Sequence, residues 1–380
     1  MKNRCVFVKE AGRRVDKENV AWYDMSFNSL VDSYFNTGDM TVYDSTLKLL
    51  DYRRSCRINT DLPVDFDLAK QVHDMFEVVV LRASNYIHEG MEWGHFAAWL
   101  EALDLPVLCL GVGAQASEKR RIVLPESGRR VWSIISDRVS SIGVRGAFTA
   151  GVLEENGIKN SEIVGCPSIF RNRSPDIKLR HKPVQDILRV AFSLRRETGD
   201  NYTRDSDEFL SLQRKWIFRL NKHFSLSVTA HGEVEEKAYY YNAFERKLVA
   251  RDELRRTGWF DAKSGGEMET IYESQLFFTP VVSHYDEFVR SVDATIGYRV
   301  HGVLPALAAG TPSVLLRYDA RSAELAETLS VPIFDPAEAI KQSFSDIFGK
   351  HHFSKFERMY PINYMNMKAF LEKNDIATRM

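Results

Sequence analysis

Short, wholly apolar runs alternate along this chain with longer amphipathic stretches, a pattern that predicts parallel sheet covered on both faces. Phe76–Leu81 (FEVVVL), Pro106–Leu110 (PVLCL) and Arg138–Val144 (RVSSIGV) predict three strands, and Ile163–Gly165 begins a further extended segment. Leu188–Leu194 (LRVAFSL), Leu226–Thr229, Leu276–Thr279, Ala294–Gly297 and Ser313–Leu316 continue the series in the second half. These runs lack the polar alternation of a half-exposed antiparallel strand. Ala147–Asn156 predicts a helix closed by Gly157, whose freedom at positive φ suits a C-terminal cap. The charged stretch Glu233–Glu269 predicts an inserted helical region. Its run Tyr239–Tyr241 reads as helix packing in preference to a sugar-stacking face.

The chain has 380 residues, more than one hydrophobic core usually serves, so two domains are expected. A polar stretch from Asn172 to Gln185, containing Pro175 and Pro183, is the natural linker. The expected division is therefore 1–178, 179–345 and a helical tail over 346–380. Hydrophobic residues at 44% and charged residues at 27% describe an ordered globular protein. A net charge of −1 with no polybasic tail argues against nucleic-acid binding, which needs a clustered positive field. Any bound anion must be held by a local group of cations. Cys5, Cys56, Cys109 and Cys166 form no CxxC pair and predict no disulfide framework. Neither a signal peptide nor an apolar span of about 20 residues is evident, which predicts a cytoplasmic protein. His73, His88, His95, His223, His231 and His284 show no metal-binding spacing, and neither a P-loop nor a GxSxG elbow is present. No metal or cofactor is expected.

Ligands of open parallel sheets sit beyond the carboxyl ends of the strands, where loops enter helices. Four junctions therefore attract attention. In Thr295–Leu316 (TIGYRVHGVLPALAAGTPSVLL) a strand ends near Tyr298, and Arg299 and His301 follow at the mouth of a short helix with Pro305 in its first turn. Arg145 stands between a strand and the helix after it, where a guanidinium fork suits a carboxylate or phosphate. Tyr318-Asp319-Ala320-Arg321 follows another strand. Arg321 there opposes the helix dipole, a placement that suits a bound anion; Arg317 is the alternative at this junction. Gly111-Val112-Gly113-Ala114-Gln115 is a glycine-containing turn, and Arg195 and Asn85 follow strands in the same way. The plain reading of each residue is a structural ion pair or a turn.

Three segments resemble the polysaccharide pyruvyl transferase family: Val144–Gly157 (VRGAFTAGVLEENG), Arg299–Pro312 (RVHGVLPALAAGTP) and Tyr318–Arg321 (YDAR). Asn36–Leu50 (NTGDMTVYDSTLKLL) is similar to the family's N-terminal "GD" loop and helix. The family's acidic residue after the first arginine is Gly146 here, and its lysine in Y-D-x-K is Arg321. The resemblance implies two Rossmann-like domains with parallel sheets and an interdomain cleft, similar to GT-B glycosyltransferases. It implies phosphoenolpyruvate as donor and a sugar with two suitably placed hydroxyls as acceptor. A lipid-linked acceptor would bring transient contact with a membrane surface. On this basis Arg145, Arg321, Arg195 and Arg317 are expected to bind the donor. His301 and Arg299 are expected at the reacting centre, with His301 as acid or as hydrogen-bond donor to the leaving phosphate. Asn36, Asp39, Asn85 and Gln115 are expected on the acceptor side. A GT-B glycosyltransferase using a nucleotide sugar, or a catalytically silent glycan-binding protein, are the competing readings.

Overall fold

A computed structural model describes the whole chain except residues 13, 17–18, 22–26, 33–34, 197, 199–204 and 262–265. The first lobe contains β1 (Arg4–Val8), the hairpin β2 (Arg14–Asp16) and β3 (Asn19–Ala21), then β4 (Arg54–Ile58) and β5 (Val78–Leu81). β6 (Val107–Val112), β7 (Ile142–Val144) and β8 (Ser161–Ile163) complete it. The second contains β9 (Arg189–Ser193), β10 (Ser225–Thr229), β11 (Leu276–Phe277), β12 (Ala294–Gly297), β13 (Ser313–Leu316) and β14 (Ile333–Phe334). Each lobe is built on one six-stranded sheet, in the orders β4-β1-β5-β6-β7-β8 and β11-β10-β9-β12-β13-β14, with β2-β3 a separate antiparallel pair. Every pairing within these sheets is parallel. The two Rossmann-like lobes face each other across a cleft, a GT-B-like arrangement.

β5 shows why the central strands are uniformly apolar. Val78 and Val80 face one core cluster while Val79 and Leu81 face another, so both faces are buried. The first cluster also takes in Val190, Phe192 and Ile296 of the second sheet, so apolar packing is continuous between the lobes. β4 lies at a sheet edge with Arg54, Ser55 and Arg57 exposed, and its polar sequence hides it from an apolar-run search. Several boundaries move, among them β5, which begins at Val78, and the strand expected over Leu276–Thr279, which ends at Phe277. Arg138 ends the Glu126–Arg138 helix and is not part of β7; β8 ends at Ile163, where an extended segment was expected to begin.

The charged insertion is helical, at Val234–Tyr240, Phe244–Arg256 and Glu267–Ser274. Tyr239 packs edge-on against Phe260 and Tyr272, and Tyr240 and Tyr241 against Phe278. No helix among the described residues is long and apolar enough to cross a membrane.

The last helix, Ser354–Lys373, returns to the first lobe. Ser141 N–H donates to Asn374 Oδ1 at 3.3 Å, Ile376 bridges Lys2, and Thr378 bridges Leu50. Of the segment expected as a tail, the part from Ser354 on thus returns to the N-terminal lobe, while Phe348 and His352 pack against Phe224 and Phe334 of the second. The first crossing between lobes is tied by a buried ion cluster. Arg171 Nη2 donates to Asp44 Oδ2 at 2.7 Å and to Asp286 Oδ2 at 2.6 Å. Lys48 Nζ joins Asp44 at 2.8 Å.

Candidate active site between the two lobes

The carboxyl ends of both sheets point into the cleft, and a cavity of about 340 Å³ lies where they meet. Asn36, Asp39, Asn85, Gln115, Arg145, Arg195, Arg299, His301 and Arg321 all line it. Arg317 does not. It is exposed and lines a separate, larger cavity of about 1110 Å³. Side chains alternate as the chain leaves β13, so Arg317 and Tyr318 take opposite sides, and only Tyr318 reaches both spaces.

Arg145 follows β7 directly, its N–H donating to Val112 O at 2.9 Å. Its Nε donates to Gly111 O at 3.2 Å and its Nη1 to Asn85 Oδ1. The side chain is only 1% exposed. Burial lowers its pKa, and the nearby Arg321 charge adds to that effect. Arg195 is held by an exchange with Gln213: its N–H donates to Oε1 at 3.0 Å and its carbonyl accepts from Nε2 at 2.6 Å. Its Nη1 reaches the Tyr318 hydroxyl at 3.3 Å, and Arg321 Nη2 donates to the same oxygen. Tyr318 therefore joins two cations without adding charge. Burial keeps it a phenol, although both arginines pull its pKa the other way.

Arg299 is the N-cap residue of the Val300–Ala308 helix. Its Nε donates to Leu194 O at 3.1 Å, and its Nη2 pairs with Glu233. Burial alone would raise the Glu233 pKa. The Arg299 charge and N–H groups of His231 and Gly232, at 2.9 and 3.1 Å, instead hold it down to about 2. This ionised pair is fully present above the ordinary carboxylate pKa of about 4.5 and is lost as pH falls toward 2. Glu233→Gln strands a buried cation and should cost about 3–5 kcal/mol at pH 7. Urea unfolding at several pH values checks this; the gap to wild type should narrow below pH 4.5.

His301 is the second residue of that helix, which begins earlier than expected and so carries Pro305 in its interior. The ring Nε2 lies 3.6 Å from Cys166 Sγ. Burial lowers the imidazole pKa well below 6.5, and Arg145, Arg321, His231 and Arg82 lower it further. His301 is therefore held in its neutral form. Behind it, His231 accepts or donates at Thr37 Oγ1 (3.1 Å) and Ser193 Oγ (3.3 Å), and burial beside Arg299 brings its pKa down to about 3.

The Thr37–Leu49 helix starts against this ring, capped by Asn36 Oδ1, which accepts Gly38 N–H at 2.9 Å. A Cβ at Gly38 would lie 3.0 Å from His301 Cβ. Gly38→Ala should displace the imidazole and reduce turnover by roughly 10–100-fold with little change in melting temperature. Steady-state kinetics beside thermal unfolding checks it.

Among the described residues, four guanidinium groups and one carboxylate, that of Asp39, thus line the cavity. Two helix N-termini add partial positive charge. Sequence reasoning missed Tyr318 as a linker, although it lies in the quoted YDAR segment, and also missed Arg82, Tyr86, His231 and Glu233. Arg82 Nη1 lies 3.6 Å from Asp39 Oδ1.

The pattern that defines the family "Polysaccharide pyruvyl transferase" matches residues 36–320 of the 380. The chain belongs to that family. No curated protein sequence matches it. Similar solved structures include the Methanocaldococcus jannaschii UDP-GlcNAc 2-epimerase in complex with UDP-GlcNAc and UDP, at 12% identity and TM-score 0.46, covering 97% of this chain and 99% of that one. Anabaena HepE in complex with UDP and glucose is similar at 8% identity and TM-score 0.44, covering 98% and 95%. The E. coli trehalose-6-phosphate structure bound with UDP-2-fluoro glucose gives 10% identity and TM-score 0.47, covering 99% and 100%.

In this polysaccharide pyruvyl transferase family member, Gly146 is the N-cap residue of the helix that follows Arg145. A Cβ there would lie 2.5 Å from Glu324 Cγ. Glu324 comes from the second lobe and accepts Thr149 N–H at 2.7 Å and Thr149 Oγ1–H at 2.9 Å. A carboxylate from the other lobe therefore caps the helix after Arg145. Burial raises its pKa, against the pull of those hydrogen bonds.

Proposed function

We propose that the cavity binds phosphoenolpyruvate and that this protein forms a pyruvate ketal on a sugar of a cell-surface polysaccharide or its precursor. The observation that carries this reading is the set of four guanidinium groups around one imidazole in a space of about 340 Å³. Phosphoenolpyruvate carries about three negative charges at neutral pH. Charge-assisted hydrogen bonds contribute roughly 1.5–3 kcal/mol each, so Arg145 and Arg195, joined by Arg299 and Arg321 whose charge is shared with Glu233 and Asp319, can hold it.

The reaction begins with a proton delivered to the enol methylene, which becomes a methyl group and leaves an oxocarbenium-like carbon. One sugar hydroxyl adds to that carbon and loses its proton. The carbon–oxygen bond to phosphate breaks, and the second hydroxyl closes the ring with loss of its proton. His301 suits the first step because its protonation is coupled to the donor. A neutral imidazole in a cationic pocket gains proton affinity once a trianion cancels the surrounding charge. Asp39 orients the acceptor hydroxyl.

Titration calorimetry with phosphoenolpyruvate, followed by detection of phosphate release in the presence of simple hexosides, tests the reading. Binding with release is expected. A thermal shift with UDP-glucose and none with phosphoenolpyruvate would overturn it in favour of a nucleotide-sugar glycosyltransferase.

A further inference from the structure

Resting on the donor assignment above, we infer that Glu324 is a positioning residue for donor binding. Its carboxylate, bonded to Thr149 across the cleft, sets the spacing between Arg145 on the first lobe and Arg321 on the second.

Each of these arginines is anchored within its own lobe. Arg145 is held by Gly111 O at 3.2 Å and by Asn85. Arg321 is held by the Tyr318 hydroxyl and lies 3.4 Å from Asp319 Oδ2. Those contacts orient each guanidinium but leave the distance between the lobes to other groups. The two cations also repel, as the effect of Arg321 on the Arg145 charge shows. Repulsion tends to part the lobes here, and an anion that needs both cations at once requires them at one separation.

The contact between Glu324 and Thr149 opposes that tendency. Oε1 accepts the Thr149 N–H at 2.7 Å and Oε2 accepts the Oγ1–H at 2.9 Å, while Oγ1 accepts Ala114 N–H at 2.9 Å. Thr149 is wholly buried and Glu324 is 2% exposed. Gly146, at the N-cap, offers no side chain to this helix N-terminus, so a carboxylate from outside is favoured there. Thr149 follows Arg145 by four residues, and Glu324 follows Arg321 by three, on the same side of its helix. The contact thus lies about 5 Å along a helix axis from each arginine. A shift at the contact is passed to the guanidinium pair with little slack.

Other contacts between the lobes serve different places. Lys119 and Glu327 pair at 3.2 Å but are exposed, and such a pair contributes little. Arg171 with Asp44 and Asp286, and Thr37 with His231, gather on the Thr37–Leu49 helix beside His301. Among the described residues, Glu324 is not part of the cavity lining. It therefore acts on the donor through the arginines.

A double-mutant cycle tests this, with affinity read by calorimetry for two probes, phosphoenolpyruvate and inorganic phosphate. Glu324→Ala should weaken phosphoenolpyruvate about tenfold. In an Arg145→Ala background, where no spacing is left to set, the same change should cost less than about twofold. Equal losses in the two backgrounds, the mark of a merely structural role, would overturn the inference. So would unchanged affinity in Glu324→Ala alone. If Glu324→Ala does not fold, Thr149→Val takes its place in the cycle and should give a several-fold loss that disappears beside Arg145→Ala. Thr149→Ser keeps the hydroxyl and should bind within about twofold of wild type; a loss as large as that of Thr149→Val would overturn the inference. Should wild type bind phosphate but not phosphoenolpyruvate, the donor assignment falls, and the phosphate cycle decides the role of Glu324 by the same criteria. If neither anion binds wild type, both fall.

Discussion

His301→Ala should slow phosphate release from phosphoenolpyruvate by about 10²–10⁴-fold, the range for losing a general acid. The fold should survive, because the ring's hydrogen-bond contact among the described residues is with Cys166 Sγ at 3.6 Å, a weak partner. A sharper reading comes from proton uptake. Burial and the surrounding arginines keep His301 neutral. A trianionic donor reverses that field, so binding at pH 7 should take up a proton. Calorimetry in buffers of different ionisation enthalpy would detect it in wild type and find it missing in His301→Gln. The same depressed pKa gives a stability signature of definite sign. A histidine that resists protonation when folded contributes stability above its ordinary pKa of about 6.5, and that contribution is lost as pH falls toward the folded value. The alanine variant should show a flatter stability profile below pH 6.5. Full turnover by His301→Ala would remove it from the chemistry.

Arg145→Ala should weaken phosphoenolpyruvate binding by one to two orders of magnitude, about 1.4–2.8 kcal/mol. The guanidinium is fixed before the ligand arrives, through Gly111 O and Asn85, so little ordering is spent on binding. Arg145→Lys keeps the charge but not the fork and should fall between the two. Stability should respond differently. Burial and the Arg321 charge both disfavour the charged side chain. Removing it should therefore cost the ligand-free protein less than breaking the Glu233–Arg299 pair does. Calorimetry and melting curves with and without the donor separate these effects. Unchanged donor affinity would take Arg145 out of the site.

Much of the cavity was legible because its arginines stand where apolar strands stop. Arg145 follows β7, Arg195 lies just beyond β9, and Arg299 and Arg321 open helices after β12 and β13. In a parallel sheet that position alone implies the cleft. Arg317 failed the same test because alternation along an extended chain turns neighbours to opposite sides. What stayed hidden depends on contacts between distant segments. Nothing local couples Glu233 to Arg299, His231 to Thr37, or Glu324 to Thr149. The fold was hidden at its margins for a related reason. β4 is an edge strand whose polar residues face solvent, and β14 is two residues long. The destination of the last helix rests on packing against Ser141, Lys2 and Leu50, which no periodicity encodes.

The backbone passes from one lobe to the other twice, once through 171–187 and once near 350. Bodies joined by a single tether can swivel freely, whereas bodies joined by two can fold only about the line between the tethers. Any breathing of the cleft is thereby channelled into a door-like swing, and a single protease nick near Pro175 would leave the halves still covalently joined.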